Sequence, residues 1–302
     1  MTRRQFIRLL GWVVFLGMVG LGTLAGCQRT GVGPNEAEAS RVPVVASIAP
    51  LADLVRQVGG ERVTVTLMVP PNISPHHYEP TAQQMEAVSR AKLMVLNGAG
   101  LEFWAPDVIR AAQNPNLKVI ELAEGLPRKG DNPHLWLNPV VMMTYTDRVA
   151  QALSEVDPAG KAIYEANAAA YKADLQALDK DIRAALAGVP DRKVVTLHPA
   201  WEYFADEYGL EVVAVIQPTP AKEPSPAEVA AIIDLMRAEG VRVIIVESQM
   251  PPHIAQSIAQ ETGAQLVYMD PIGGVPPRET YIKMMRWNVN ELVKALGAGA
   301  SP

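Results

Sequence analysis

The chain has 302 residues, 49% of them hydrophobic and 20% charged, with a formal charge of −5. That length accommodates about two domains and can bury a core without disulfide or metal staples. The apolar content excludes a disordered chain, the acidic balance excludes broad nucleic-acid binding, and a single cysteine excludes an internal disulfide or a cysteine-based zinc site.

Residues 1–26 read as an export signal. Arg3, Arg4 and Arg8 precede an uncharged stretch, 9–26, that ends in small residues. Leu24-Ala25-Gly26-Cys27 has the form of a lipobox, in which Cys27 is diacylated and becomes the new N-terminus, held at a membrane surface by its acyl chains. The only cysteine of the chain falls at that position. The opening Thr2-Arg3-Arg4-Gln5-Phe6-Ile7 fits a twin-arginine export motif as well as a plain secretory signal. Residues 27–41 are polar, contain Gly31, Gly33 and Pro34, and read as a flexible tether spanning roughly 20 Å.

From residue 42 strand and helix patterns alternate. Strands are predicted over 42–48, 62–69, 92–97 and 118–122, and helices over 51–58, 83–90, 103–112 and 140–156. This alternation predicts βαβ units on a parallel sheet. Residues 157–187 differ, being rich in Ala, Leu, Lys, Glu and Gln. Apolar residues fall at Ile163, Ala166, Ala170, Leu175, Leu178, Ile182 and Leu186, close to the helical period. Asp157-Pro158 starts this helix, and Gly188 and Pro190 stop it. Its length of roughly 40–45 Å can bridge two domains. Strands then resume at 194–197, 211–216, 241–246 and 265–269, with helices at 201–208, 227–239, 254–262 and 279–296. The fold class is therefore α/β, with two (β/α)4 lobes on parallel sheets, 42–156 and 190–302. One long α-helix within 157–189 joins them.

The chemistry-bearing residues follow strands. The pair His76-His77 lies in a proline-rich loop after the second strand, and His134 lies in Pro133-His134-Leu135-Trp136. His198 directly follows the strand at 194–197, and Asp270 directly follows that at 265–269. Parallel α/β sheets bind ligands beyond the carboxyl ends of their strands. Two of these groups lie in each half, so they meet only in a cleft between the lobes. Position alone leaves each histidine open to an ordinary surface role, and no HExxH spacing is present. Glu247 ends a strand, where it can orient an imidazole or cap the next loop.

Several segments recur in a characteristic order over nearly everything after the signal. They are residues 46–69, Ser74-Pro75-His76-His77-Tyr78-Glu79-Pro80, residues 97–102, and Asn132-Pro133-His134-Leu135-Trp136-Leu137-Asn138-Pro139. His198 follows, with Tyr203-Phe204 and Tyr208-Gly209-Leu210, then Glu223-Pro224-Ser225-Pro226, Glu247-Ser248-Gln249, Asp270-Pro271-Ile272-Gly273-Gly274 and residues 281–292. This run resembles the metal-binding lipoproteins that serve ATP-binding-cassette importers of zinc and manganese. The resemblance implies a metal site made of His76, His134, His198 and Asp270. His76 is chosen over His77 because the family ligand directly follows a proline. His253 has no counterpart in the site, and Tyr78 and Trp136 read as packing around the cleft.

Three imidazoles and a carboxylate suit tetrahedral zinc. Manganese-selective members of the resembling family replace one histidine by a second carboxylate, so His198 favours zinc, with Mn2+ or Fe2+ as alternatives. A His-rich loop found in many zinc members is absent from 121–132. The implied role is capture and delivery by a monomer outside the cytoplasmic membrane, anchored at Cys27 or in a periplasm. The implied partners are a permease and its ATPase subunit, with no nucleic acid and no catalysis. A zinc hydrolase with Glu247 as base and an adhesin are the competing readings. Because imidazoles bind metal only when neutral, affinity is expected to fall below about pH 6.

Overall fold

A computed structural model describes residues 41–219 and 222–298. The export signal, the lipidation site at Cys27 and all of the tether except Arg41 lie outside the described residues.

The first lobe is built on β1 (Val42–Ala46), β2 (Val63–Leu67), β3 (Leu93–Leu96) and β4 (Lys118–Glu121), in the order β2-β1-β3-β4 with every pair parallel. β3 is apolar and buried at all four positions, as a central strand covered on both faces requires, whereas the edge strand β4 is only half-buried. Its helices are α1 (Ala49–Gly59), α2 (Ala82–Arg90), α3 (Ala105–Ala112) and α4 (Pro139–Val156). The second lobe repeats the topology with β5 (Lys193–Thr196), β6 (Glu211–Val215), β7 (Val243–Glu247) and β8 (Gln265–Met269), ordered β6-β5-β7-β8 and again parallel.

Local chemistry sets the helix starts. Thr81 and Gln84 form a reciprocal capping box at α2. Ser225 and Glu228 do the same at α7 (Pro226–Glu239), and a proline opens each of α1, α3, α4 and α7.

The linking helix departs from the predicted one in two ways. α4 ends at Val156 and a single 3-10 turn, Pro158–Gly160, intervenes before α5 (Lys161–Ala187). α5 has 27 residues, about 40 Å. Its buried stripe is Tyr164, Ala168, Tyr171, Leu175, Leu178, Ile182 and Leu186. The expected Ile163, Ala166 and Ala170 are exposed. Two tyrosines bury their rings in the shifted stripe: the Tyr164 hydroxyl donates to Asp157 Oδ2 at 2.6 Å, whereas the Tyr171 hydroxyl is buried without a hydrogen-bond partner among the described residues.

One apolar core runs through both lobes, from Val45 and Leu93 through Leu175 and Leu178 of α5 to Trp201, Phe204 and Met285. A smaller cluster around Val195, Ile244, Val246 and Ile258 covers the far side of the second sheet. The closing helix α9 (Tyr281–Ala298) returns to the first lobe, where the Tyr281 amide donates to Asp53 Oδ2 (2.8 Å) and its hydroxyl donates to the Trp136 carbonyl (2.8 Å). Both α5 and α9 therefore bind the lobes to each other. Among the described residues no helix is long and apolar enough to cross a membrane.

Candidate metal centre

The three strand-end histidines converge. His76, His134 and His198 each present a ring nitrogen within 4.8 Å of the others, and their ring centroids are 4.6–5.3 Å apart. His76 and His134 come from the first lobe and His198 from the second. The space they help to enclose, about 20 Å³, admits one water-sized body. Trp136, Glu247, Gln249, Met250 and Ile272 complete much of its wall.

Each imidazole is positioned by its own segment. His76 lies in a 3-10 turn, Pro75–His77, whose first N–H group is accepted by Ser74 Oγ (3.4 Å). The loop is held down by Tyr78, whose hydroxyl donates to Gln84 and whose ring packs edge-on against Trp104. His134 precedes a short 3-10 turn and is almost fully buried. Asn132 Oδ1 accepts from the His134 amide (3.0 Å) and lies 2.7 Å from Nδ1. The Asn132 amide group donates to the Pro199 carbonyl (2.7 Å), which fixes its orientation and leaves Oδ1 as the acceptor. Nδ1 of His134 therefore carries the proton, and Nε2, 3.3 Å from His76 Nε2, has its lone pair free for a cation.

His198 follows β5 beside Glu247, the last residue of β7. β5 and β7 are the central strands at which the chain reverses its direction of winding, the usual place for a ligand crevice. His198 Nδ1 lies 4.0 Å from Glu247 Oε1, which accepts from Trp201 Nε1 (3.1 Å). His198 Nδ1, Glu247 Oε2 and Gln249 Oε1 are buried without a hydrogen-bond partner.

Burial sets the electrostatics. Desolvation, reinforced by neighbouring imidazoles, pushes His198 down to about 3 and His134 well below the ordinary histidine value. Desolvation with the nearby His77 brings His76 to about 4. Burial raises Glu247 to about 8, against the opposing hydrogen bond from Trp201, so the side chain is protonated at neutral pH. The cluster is therefore three neutral imidazoles, the form that ligates metal.

Asp270 stands outside this cluster. It is 1% exposed and fully engaged. Oδ1 accepts from Gln249 Nε2 (2.9 Å) and the amides of Ile272 (3.0 Å) and Gly273 (2.9 Å), and Oδ2 pairs with Arg278 Nε (2.7 Å). Gly273 is required there: its φ is +63°, and a Cβ would meet the Arg278 carbonyl oxygen at 2.8 Å. His77 is exposed on the same turn as His76, and His253 is exposed beside Glu223 (3.5 Å). Trp136 packs on His134 (5.0 Å between centroids) and donates to the Pro271 carbonyl (2.8 Å).

The family model of the zinc-uptake complex component A, periplasmic, matches residues 44–295. The chain belongs to this family. It is 31% identical to the manganese-binding lipoprotein MntA of Halalkalibacterium halodurans over 93% of this chain and 97% of the relative. It is 27% identical to the iron ABC transporter substrate-binding lipoprotein MtsA of Streptococcus pyogenes serotype M1, over 90% of this chain and 94% of that one. The crystal structure of ZnuA matches with a TM-score of 0.78 at 31% identity, covering 85% of this chain and 99% of that one.

Three positioning residues were given no role by the sequence. Asn132 fixes the His134 tautomer. Asn97 ties the Pro133 carbonyl (2.8 Å), accepting in turn from the Tyr145 hydroxyl (2.9 Å). Glu102 receives the amides of Asn97 (2.8 Å) and Gly98 (2.9 Å). The signal for Asn132 is an Asn two residues before a ligand, an arrangement that favours a side-chain-to-backbone turn. Asn132→Ala is expected to weaken zinc binding by about 10- to 100-fold, the usual cost of losing an orienting partner. Competition titration measures it, and affinity within threefold of wild type would refute the tautomer assignment.

Proposed function

We propose that the chain is the extracytoplasmic metal-capturing component of an ATP-binding-cassette importer, with zinc favoured over manganese or iron. Members of its family are substrate-binding transport proteins. One observation carries the reading for this chain: three neutral imidazoles meet between the lobes around a space for a single ion. His76, His134 and His198 are the proposed ligands. Asp270 is the proposed fourth, held back by Arg278, so that it contributes little to an ion satisfied by imidazole and binds fully only to one that gains enough to displace Arg278. Nitrogen donors favour zinc over the harder manganese ion.

Delivery follows from the same arrangement. Two helices bind the lobes together, so a docking permease has to strain a stiff body to expose the ion. The proposed partners are that permease and its ATPase subunit, and the proposed anchor is a diacylated Cys27 reached by either export route. The domain boundaries proposed are those of the sequence: signal 1–26, tether 27–41, lobes 42–156 and 190–302, helix 157–189. The hydrolase reading needs Glu247 as a base, but its Oε1 is engaged by Trp201 Nε1 (3.1 Å) and the space it lines, about 20 Å³, admits one water-sized body and no substrate beside an ion.

The test is metal analysis of untagged, exported protein, followed by zinc and manganese competition titration. One ion per chain, with zinc displacing manganese, is the expected result. Absence of stoichiometric binding would reject the function, and manganese displacing zinc would reject the assignment of cargo.

A further inference from the structure

We infer that Arg278 is a specificity-determining residue: by pairing with Asp270 Oδ2 it withholds the carboxylate expected as a ligand, and so selects ions satisfied by imidazole nitrogen. The inference rests on the metal site proposed above and names the residue that sets its preference.

The two oxygens of Asp270 have unequal holds. Oδ1 is locked by three neutral donors, Gln249 Nε2 and the amides of Ile272 and Gly273. The Asp270 backbone is pinned by Asn288, which accepts its amide (2.7 Å) and donates to its carbonyl (2.8 Å). Among the described residues Oδ2 has one partner, Arg278 Nε at 2.7 Å. The carboxylate therefore stays in place whether or not Arg278 is there, and Arg278 alone decides whether Oδ2 is available.

Arg278 is itself held. Its guanidinium lies 4.5 Å from the centre of the Trp287 ring, and its carbonyl accepts from Gly274 (2.8 Å). Asp270 borders the metal space through its neighbours, since Gln249, Pro271 and Ile272 line that space. The Asp270 side chain is 2% exposed, so its ion pair is poorly screened and costly to break.

Zinc is well satisfied by imidazole, while manganese gains more from a carboxylate oxygen. An ion that needs Oδ2 must break the Arg278 pair to obtain it, and that cost is subtracted from its affinity. Arg278 thus acts against manganese far more than against zinc, by repulsion and by sequestering the ligand.

The experiment compares zinc and manganese dissociation constants for the wild type, Arg278→Met, Arg278→Lys, Asp270→Asn and the Arg278→Met/Asp270→Asn double variant, each checked for a cooperative melt. Methionine keeps the packing on Trp287 and removes the charge. Arg278→Met is expected to tighten manganese at least tenfold and change zinc by less than threefold. Arg278→Lys is expected to keep the wild-type ratio. With Asp270→Asn present, Arg278→Met is expected to leave the ratio unaltered. If Arg278→Met does not fold, Arg278→Gln carries the same expectation. A zinc-to-manganese ratio unchanged in the neutral variant, or shifted equally with Asn at 270, overturns the inference. Failure of wild type and all variants to bind either ion would instead reject the metal-capture reading.

Discussion

Replacing His134 by alanine is expected to lower zinc affinity by about 100- to 1,000-fold. Structural zinc sites with four ligands contribute about 10–16 kcal/mol, so one ligand accounts for roughly 3 kcal/mol, or two to three decades. His134 sits at the upper end of that range for two reasons. Its lone pair is already directed by Asn132, so binding requires no tautomer change. Its ring is buried between His198, 4.6 Å away, and Trp136, 5.0 Å away, so water replaces it poorly. His77→Ala, on the exposed neighbour of His76, is expected to change affinity less than about twofold. Titration calorimetry against a competing chelator measures both. An alanine variant at 134 that binds zinc like the wild type would remove His134 from the site.

The contrast between His76 and His77 shows what the sequence could reveal. Both follow a strand and both lie in the same turn, so position alone did not separate them. The choice of His76 came from a family motif, and the structure turns that side chain towards His134 while leaving its neighbour in solvent. The architecture was legible because buried parallel strands are continuous apolar runs and because βα units place chemistry at strand ends. The register of α5 was not, because tyrosine fits both a buried and an exposed pattern until the packing of its ring is known. Glu247 was legible as a strand end, but its protonation depends on its burial in the folded chain, opposed by a hydrogen bond from Trp201, 46 residues away in sequence. Arg278 was invisible for a similar reason. Nothing local distinguishes an arginine in a Pro-Pro-Arg turn, and its importance comes from the carboxylate eight positions earlier.

Zinc affinity is expected to stay nearly flat from pH 7 to about 5 and to collapse below about 4. Ordinary imidazoles would begin losing the competition with protons near pH 6. Here burial carries His76 to about 4 and His198 to about 3, with His134 also far below its usual value, so protons compete only in strongly acidic solution. Below all three values each pH unit costs about a thousandfold, because three protons must leave for one ion to bind. The metal-free protein behaves in the opposite way. Its unfolded imidazoles take up protons below about 6.5 and its folded ones do not, so the unfolded state binds more protons and stability drops as pH falls through this window. A shift from 6.5 to about 4 corresponds to roughly 3 kcal/mol for His76 once pH reaches 4. Glu247 opposes this: raised to about 8, it is protonated in the folded state first and favours folding as pH drops from 8 towards 4.5. Three imidazoles outnumber that one carboxyl, so the net change is a loss. Thermal melts are therefore expected to shift down between pH 7 and 5 for metal-free and zinc-loaded protein in parallel, the zinc-loaded melt lying higher by a constant amount because an affinity flat in pH adds the same stabilisation throughout. A zinc affinity that already falls at pH 6, or a metal-free melt that is level from pH 7 to 5, would mean that the imidazoles are solvated and the site is more open than its geometry implies.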